Sequence, residues 1–156
     1  MDGDDYFAAL SCLLDDGVGL LIGTSDERHV PRAGRAWGVR MVDQLLRVVI
    51  SADDPNLVAN LDQGRVAVTG ADVRQLRSAQ LKGRVVAVEE PDETDLATAD
   101  EHTAAFLTAI METDGTEYEL TSRLLPRRML TVVVDVEEGF DQTPGPTAGE
   151  RISEPR

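Results

Sequence analysis

An α+β fold on a closed or partly closed β-barrel is predicted by three features of the sequence: five or six short stretches rich in β-branched residues, turn signals between them, and one longer amphipathic helix near the end. The 156-residue length suits one domain with a real core. That domain is expected over residues 1–140, with 141–156 as an irregular tail rich in Pro and Gly.

The elements follow in order. Asp4-Asp5 ahead of Tyr6, Ala9, Leu10, Leu13 and Leu14 gives helical spacing with acids in the first turn, and Gly17 ends it. Val18 to Thr24 is an apolar run too short for a core helix, and Ser25 to His29 is a polar turn leading to Pro31. Arg32 to Val42 continues extended, Asp43-Gln44 turns, and Leu45 to Ser51 completes a hairpin. Asp54 as N-cap, Pro55 at the first helical position and Gly64 at the end bracket a small helix. Arg65 to Thr69 reads as a strand, Val73 to Arg77 as a loop or strand entry, and Ser78 to Val88 as a long strand with Gly83 at a bend or bulge. Leu96, Ala99, Thr103, Phe106, Leu107, Ile110 and Met111 mark the apolar face of a helix over Asp92 to Glu112, and Leu130 to Val136 closes the set as a sixth strand.

Composition narrows the function. With 29 acidic against 15 basic residues the formal net charge is -14, which argues against nucleic acid or an anionic membrane surface as the main partner. No apolar run approaches the roughly 20 residues of a membrane span, and the acidic start is wrong for a signal peptide, so a soluble cytoplasmic protein is expected. Cys12 is the sole cysteine and excludes an intrachain disulfide; its apolar neighbours predict burial. Phosphate-loop, dinucleotide, nucleophile-elbow and zinc-protease motifs are missing, and His29 and His102 have no ligand-spaced partner, so no metal site is expected. His102 reads as a surface residue of the acidic helix.

The cations are the informative residues. Arg32, Arg35, Arg40, Arg47, Arg65, Arg74, Arg77, Lys82 and Arg84 all fall in the central β region, where close contacts govern anion binding despite the overall charge. In R-A-W-G-V-R, alternation puts Arg35, Trp37 and Val39 on one face and Ala36, Gly38 and Arg40 on the other unless a bulge intervenes. Small residues beside Trp37 leave room for a flat ligand, and the indole either stacks on it or plugs a dimer contact; a solvated hairpin strand with a packed Trp fits the same pattern. Ser78, Gln80 and Lys82 share a face that suits the polar edge of a heteroaromatic ring or plain solvent.

The element order, together with V-G-L-L-I-G-T-S-D-E-R-H-V-P, L-L-R-V-V-I-S, G-R-V-A-V-T and Q-L-K-G-R-V, resembles the pyridoxamine 5'-phosphate oxidase-like family of FMN-binding split barrels over about Tyr6 to Phe140. The closing F-D-Q-T-P-G-P-T-A-G is similar to the ending of short members of that family. The resemblance implies a six-stranded split barrel with flanking helices, a homodimer with flavin sites at its interface, and FMN as cofactor. It carries the family's Arg and Lys positions onto Arg35 and Arg40, its aromatic-Thr pair onto Ile50 and Ser51, and its strand-five glutamine onto Ser78, with Gln80 as substitute. Where the oxidases have an Arg-Lys pair for phosphate, this chain has Asp53-Asp54, which would repel it; Arg74 or Arg77 is the expected replacement. With no match to the oxidases' C-terminal substrate residues, the expected function is a flavin-dependent oxidoreductase other than pyridoxamine phosphate oxidase. The alternatives are a deazaflavin-dependent reductase and a non-catalytic split-barrel dimer binding another small molecule.

Overall fold

A computed structural model describes residues 10–15, 17–117, 119–120, 123 and 125–152. Residues 10–14 are helical (α1), and the part of the expected N-terminal helix before Leu10 lies outside the described residues. The strands are β1 (Gly19–Ser25), β2 (Pro31–Val42), β3 (Leu45–Ser51), β4 (Arg65–Ala71), β5 (Ser78–Glu89), β6 (Met129–Asp141) and β7 (Arg151–Ile152). Two further helices, α2 (Pro55–Asn60, continued by a 3-10 turn at Leu61–Gln63) and α3 (Glu93–Asp114), interrupt them.

Neighbouring strands run antiparallel in the order β3-β2-β1-β4-β5-β6, and a further β3–β6 pairing closes the sheet into a six-stranded barrel with β7 added on β6. Closure follows from the apolar pattern. Leu20 and Ile22, Leu46, Val48 and Ile50, and Val66 and Val68 alternate inward from their strands into one core, and side chains at period two share a face. Pairing β3 to β6 leaves neither strand with an open edge.

Local chemistry sets the boundaries. Asp43 and Gln44 both take positive φ (49° and 67°), the left-handed pair that a two-residue hairpin requires. The Asp54 carboxylate accepts the Asn56 and Leu57 N–H groups at the start of α2, Pro55 follows it, and Gly64 ends the 3-10 turn at φ 74°. Gly83 lies at a register shift in the β5–β6 ladder, as its position inside a long strand predicts.

Two expectations change. The segment after Asp141 is fastened: the Asp141 carboxylate accepts from the Thr143 N–H at 2.8 Å and the Thr147 hydroxyl at 3.1 Å, and the chain returns as β7 with Ile152 in the core. The apolar face of α3 is also rotated. Asp95, Ala99, His102 and Phe106 face the barrel, whereas Leu96 and Met111 are exposed. His102 is therefore buried rather than on the surface, with its Nε2 3.1 Å from the Val18 carbonyl oxygen. Asp95 governs the rotation, because two arginines wait beneath it.

Candidate functional site

The site begins with an extra residue in β2. The β2–β3 register pairs Ala36 with Ile50 and Gly38 with Val49, leaving Trp37 as a bulge. Strict alternation is broken: Ala36 and Val39 both enter the barrel core, while Trp37 packs outside with Val49, Ala99 and Met129. Gly38 also faces outward, and a Cβ there would lie 2.8 Å from the Ala99 Cα, so only glycine lets α3 approach this closely. The bulge thus brings Arg35 and Arg40 onto one outer face, both against α3, in place of the opposite faces that alternation predicts.

At the α3 N-terminus this face is an ion-pair cluster. Asp92 caps the helix and Asp95 returns the bond as a capping box. Arg47 grips the Asp95 carboxylate through Nε to Oδ1 (3.0 Å) and Nη2 to Oδ2 (2.6 Å), and Arg40 Nε donates to Oδ1 at 2.7 Å. The Thr131 hydroxyl and the Asp92 N–H complete five donors on two oxygens. Burial works to raise the Asp95 pKa, but bonds from Arg47, Arg40, Thr131 and Asp92 outweigh it and hold the acid well below the usual carboxylate range. Arg40 also binds Asp92, and Arg47 also binds Glu89. Arg40, one of the expected cofactor contacts, is thus engaged from within the chain.

Further along the face Arg35 is in a different state. Its guanidinium lies 4.8 Å from the Phe106 ring centroid and 5.8 Å from that of Trp37, and burial lowers its pKa. Of the nine central cations, seven pair with carboxylates: Arg32 with Asp54, Arg40 and Arg47 as above, Arg65 with Glu137, Arg74 with Glu112, Arg77 with Asp15, and Arg84 with Asp135. The other two of the nine, Arg35 and Lys82, do not, and Lys82 Nζ likewise sits over an aromatic ring, 4.6 Å from the Phe140 centroid.

The register links Arg35 to the ring beneath Lys82. Arg35 pairs with Leu21, Leu21 with Thr69, Thr69 with Gln80, and Gln80 with Phe140, forming one transverse row across β2, β1, β4, β5 and β6. Leu21 is 46% exposed, and Gln80 Nε2 donates to Thr69 Oγ1 at 3.0 Å, which fixes the amide against the sheet. The row spans three strand spacings from Arg35 to Gln80, about 14 Å.

The other predicted positions lie elsewhere. Ile50 is fully buried in the barrel interior and cannot meet a ligand phosphate. The Ser51 hydroxyl accepts the Asp53 N–H, the Ser78 N–H donates to Thr143 Oγ1, and Arg77 pairs with Asp15 and Asp72 on an exposed loop. The feared carboxylates are also engaged: Asp54 binds Arg32 at 2.6 Å and Asp53 accepts the Arg127 N–H at 3.0 Å. Leu21 and Thr69 escaped the sequence reading because only the register reveals them, and Phe106, expected on the apolar helix face, is brought to Arg35 only by the packing of α3; Asp95 carried a signal in the Asp92-x-x-Asp95 cap spacing. Cys12 is buried, and burial pushes its thiol up. Among the described residues no His, Cys, Asp and Glu group is arranged for a metal, and no helix is long and apolar enough to cross a membrane.

Compared by sequence, the chain matches no family model and no curated protein. Compared by structure, it is similar to a general stress protein 26-related protein of the pyridoxinephosphate oxidase family from Clostridium acetobutylicum (12% identity, 92% of each chain covered, TM-score 0.55). It is similar also to an FMN-binding protein from Syntrophomonas wolfei (12% identity, 90% of this chain and 88% of the other, TM-score 0.55). A candidate pyridoxamine 5'-phosphate oxidase from Lactobacillus delbrueckii matches at 16% identity over 85% and 90%, with a TM-score of 0.51. With the closed β3–β6 seam and the strand order above, these likenesses give this chain the split-barrel fold of the pyridoxamine 5'-phosphate oxidase-like and FMN-binding proteins.

Proposed function

We infer that the protein is a homodimeric flavin-binding split barrel, with FMN held against the outer face of β1, β2, β4 and β5, and that it acts as a cytoplasmic oxidoreductase. The observation that carries this reading is the pair of central cations without carboxylate partners, Arg35 at one end of a row that holds an oriented amide and Lys82 over the Phe140 ring at its other end. In a chain of net charge -14, a half-buried guanidinium without a carboxylate is a place prepared for an external anion.

Bound flavin supplies hydride chemistry, and the chain supplies orientation and charge. Arg35, fixed by the Phe106 ring, presents positive charge to an anionic ring edge or phosphate. Gln80, held by Thr69, offers its amide oxygen as an acceptor. Leu21 and the small residues Gly23, Ala33 and Ala67 keep the sheet between them flat enough for a ring and a second subunit to cover. No side chain is assigned as a catalytic acid or base.

A second reading has its own support. Arg40 and Arg47 are neutralised by Asp95, Asp92 and Glu89, so the phosphate-binding capacity of this face is smaller than the family resemblance implies. That favours a non-catalytic split-barrel dimer for another planar anion, or a deazaflavin-dependent reductase. The purified protein is expected to show flavin absorbance, to titrate with FMN in preference to a deazaflavin cofactor, and to scatter light as a dimer. Arg35→Glu should weaken FMN binding by roughly 10- to 100-fold, the loss of one charge-assisted contact. Colourless protein indifferent to both cofactors would establish the non-catalytic dimer, preference for the deazaflavin cofactor would establish the reductase, and unchanged affinity in Arg35→Glu would remove Arg35 from the site.

A further inference from the structure

The geometry points to Asp95 as an internal anion: a carboxylate from α3 that fills an oxyanion-binding site built by β2, β3 and β6. The site consists of two guanidinium groups, a hydroxyl and a backbone N–H. Oδ1 receives Arg40 Nε at 2.7 Å and Arg47 Nε at 3.0 Å, while Oδ2 receives Arg47 Nη2 at 2.6 Å, Thr131 Oγ1 at 2.9 Å and the Asp92 N–H at 3.2 Å. The Arg47 contact is side-on and bidentate, the arrangement that a planar carboxylate selects over a spherical anion.

The donors do not depend on Asp95 alone for their positions. Arg40 is also held by Asp92 and Arg47 by Glu89 at 2.6 Å, whereas Thr131 belongs to the β6 ladder against β3 and β5. Shortening residue 95 to alanine therefore leaves the four groups aimed into a space the size of a carboxylate. Two cations would then face two carboxylates, Asp92 and Glu89, both about half exposed at 53% and 46%, so the deep end of the space stays cationic. The ligand class is a small planar carboxylate, with formate as the closest free analogue of the missing group.

Occupation from within also has a routing consequence: with Arg40 and Arg47 filled, an external anion on this face meets Arg35. That clause rests on the proposed flavin site, whereas the occupancy itself does not.

The test is chemical rescue on the full chain without added flavin. Thermal unfolding of wild type, Asp95→Ala and Asp95→Asn is followed in sodium formate and in sodium chloride at equal ionic strength. Formate should raise the Tm of Asp95→Ala above its chloride value by about 4 °C at a tenfold excess over Kd. Wild type and Asp95→Asn, whose side chains fill the space, should show no such difference. If Asp95→Ala does not fold in chloride, its refolding yield in formate gives the same answer. An equal response of all three proteins, no response in Asp95→Ala, or no refolding in either salt overturns the proposal. A protein that titrates with neither FMN nor a deazaflavin cofactor yet is rescued by formate would defeat the flavin reading and leave the internal anion standing.

Discussion

Asp95→Ala is expected to cost about 3–5 kcal/mol of folding stability and to lower Tm by about 10 °C in plain buffer, as measured by denaturant and thermal unfolding. The size comes from what remains. Removing the carboxylate takes the central acceptor from two guanidinium groups whose side chains are 22% and 13% exposed, and from the buried Thr131 hydroxyl. It also breaks half of the capping box that starts α3. An exposed pair would be worth 1 kcal/mol or less. Asp95 has no exposed side-chain surface, so the larger figure applies.

The pH dependence follows from the same group. Its folded-state pKa lies below its unfolded value, so its contribution is fully present above the ordinary carboxylate range and is lost as pH falls through the folded pKa. Between pH 7 and 5, wild type and Asp95→Asn should differ by a constant amount. Below about pH 4 the wild type should lose that advantage progressively, and the two acid-unfolding curves should converge. A constant difference into strong acid would show that the charge on Asp95 contributes nothing.

Gly83→Ala is the second large effect, at about 3 kcal/mol, and it acts through the barrel wall. An added Cβ would collide with the Asp135 carbonyl oxygen and lie 2.9 Å from Val134 Cγ1. Backbone on the facing strand cannot rotate away as a long side chain does, so β5 and β6 must separate where their register already shifts. Gly64→Ala is the informative contrast. Nothing lies within 4 Å of that position, so its cost is the left-handed φ of 74° alone, on the order of 1 kcal/mol. Equal losses in the two variants would contradict the steric account of Gly83.

Much of the barrel was legible because its strands are short, rich in β-branched residues and bounded by turn chemistry. Asp43-Gln44, Asp54-Pro55 and Gly83 each announced a turn, a cap and a bulge that the structure contains. β7 was not legible, since two residues carry no period, and only burial of Ile152 against the core reveals them. The α3 face was misjudged at Leu96 and His102 because hydropathy counts apolar residues and cannot know that Arg40 and Arg47 wait for an acid. Of the candidate site, Arg35, Trp37 and Gln80 could be named from types and spacing. Which cations keep their charge available depends on pairings up to 72 residues apart, and no local pattern encodes them.

The added residue at Trp37 works as a phase change in the pleat. Upstream of it odd-numbered side chains point outward; downstream the even-numbered Arg40 does. Removing that single residue would restore an unbroken zigzag and force one of two arginines toward the oily interior. A one-residue deletion at this point is thus far less tolerable than any substitution of the indole.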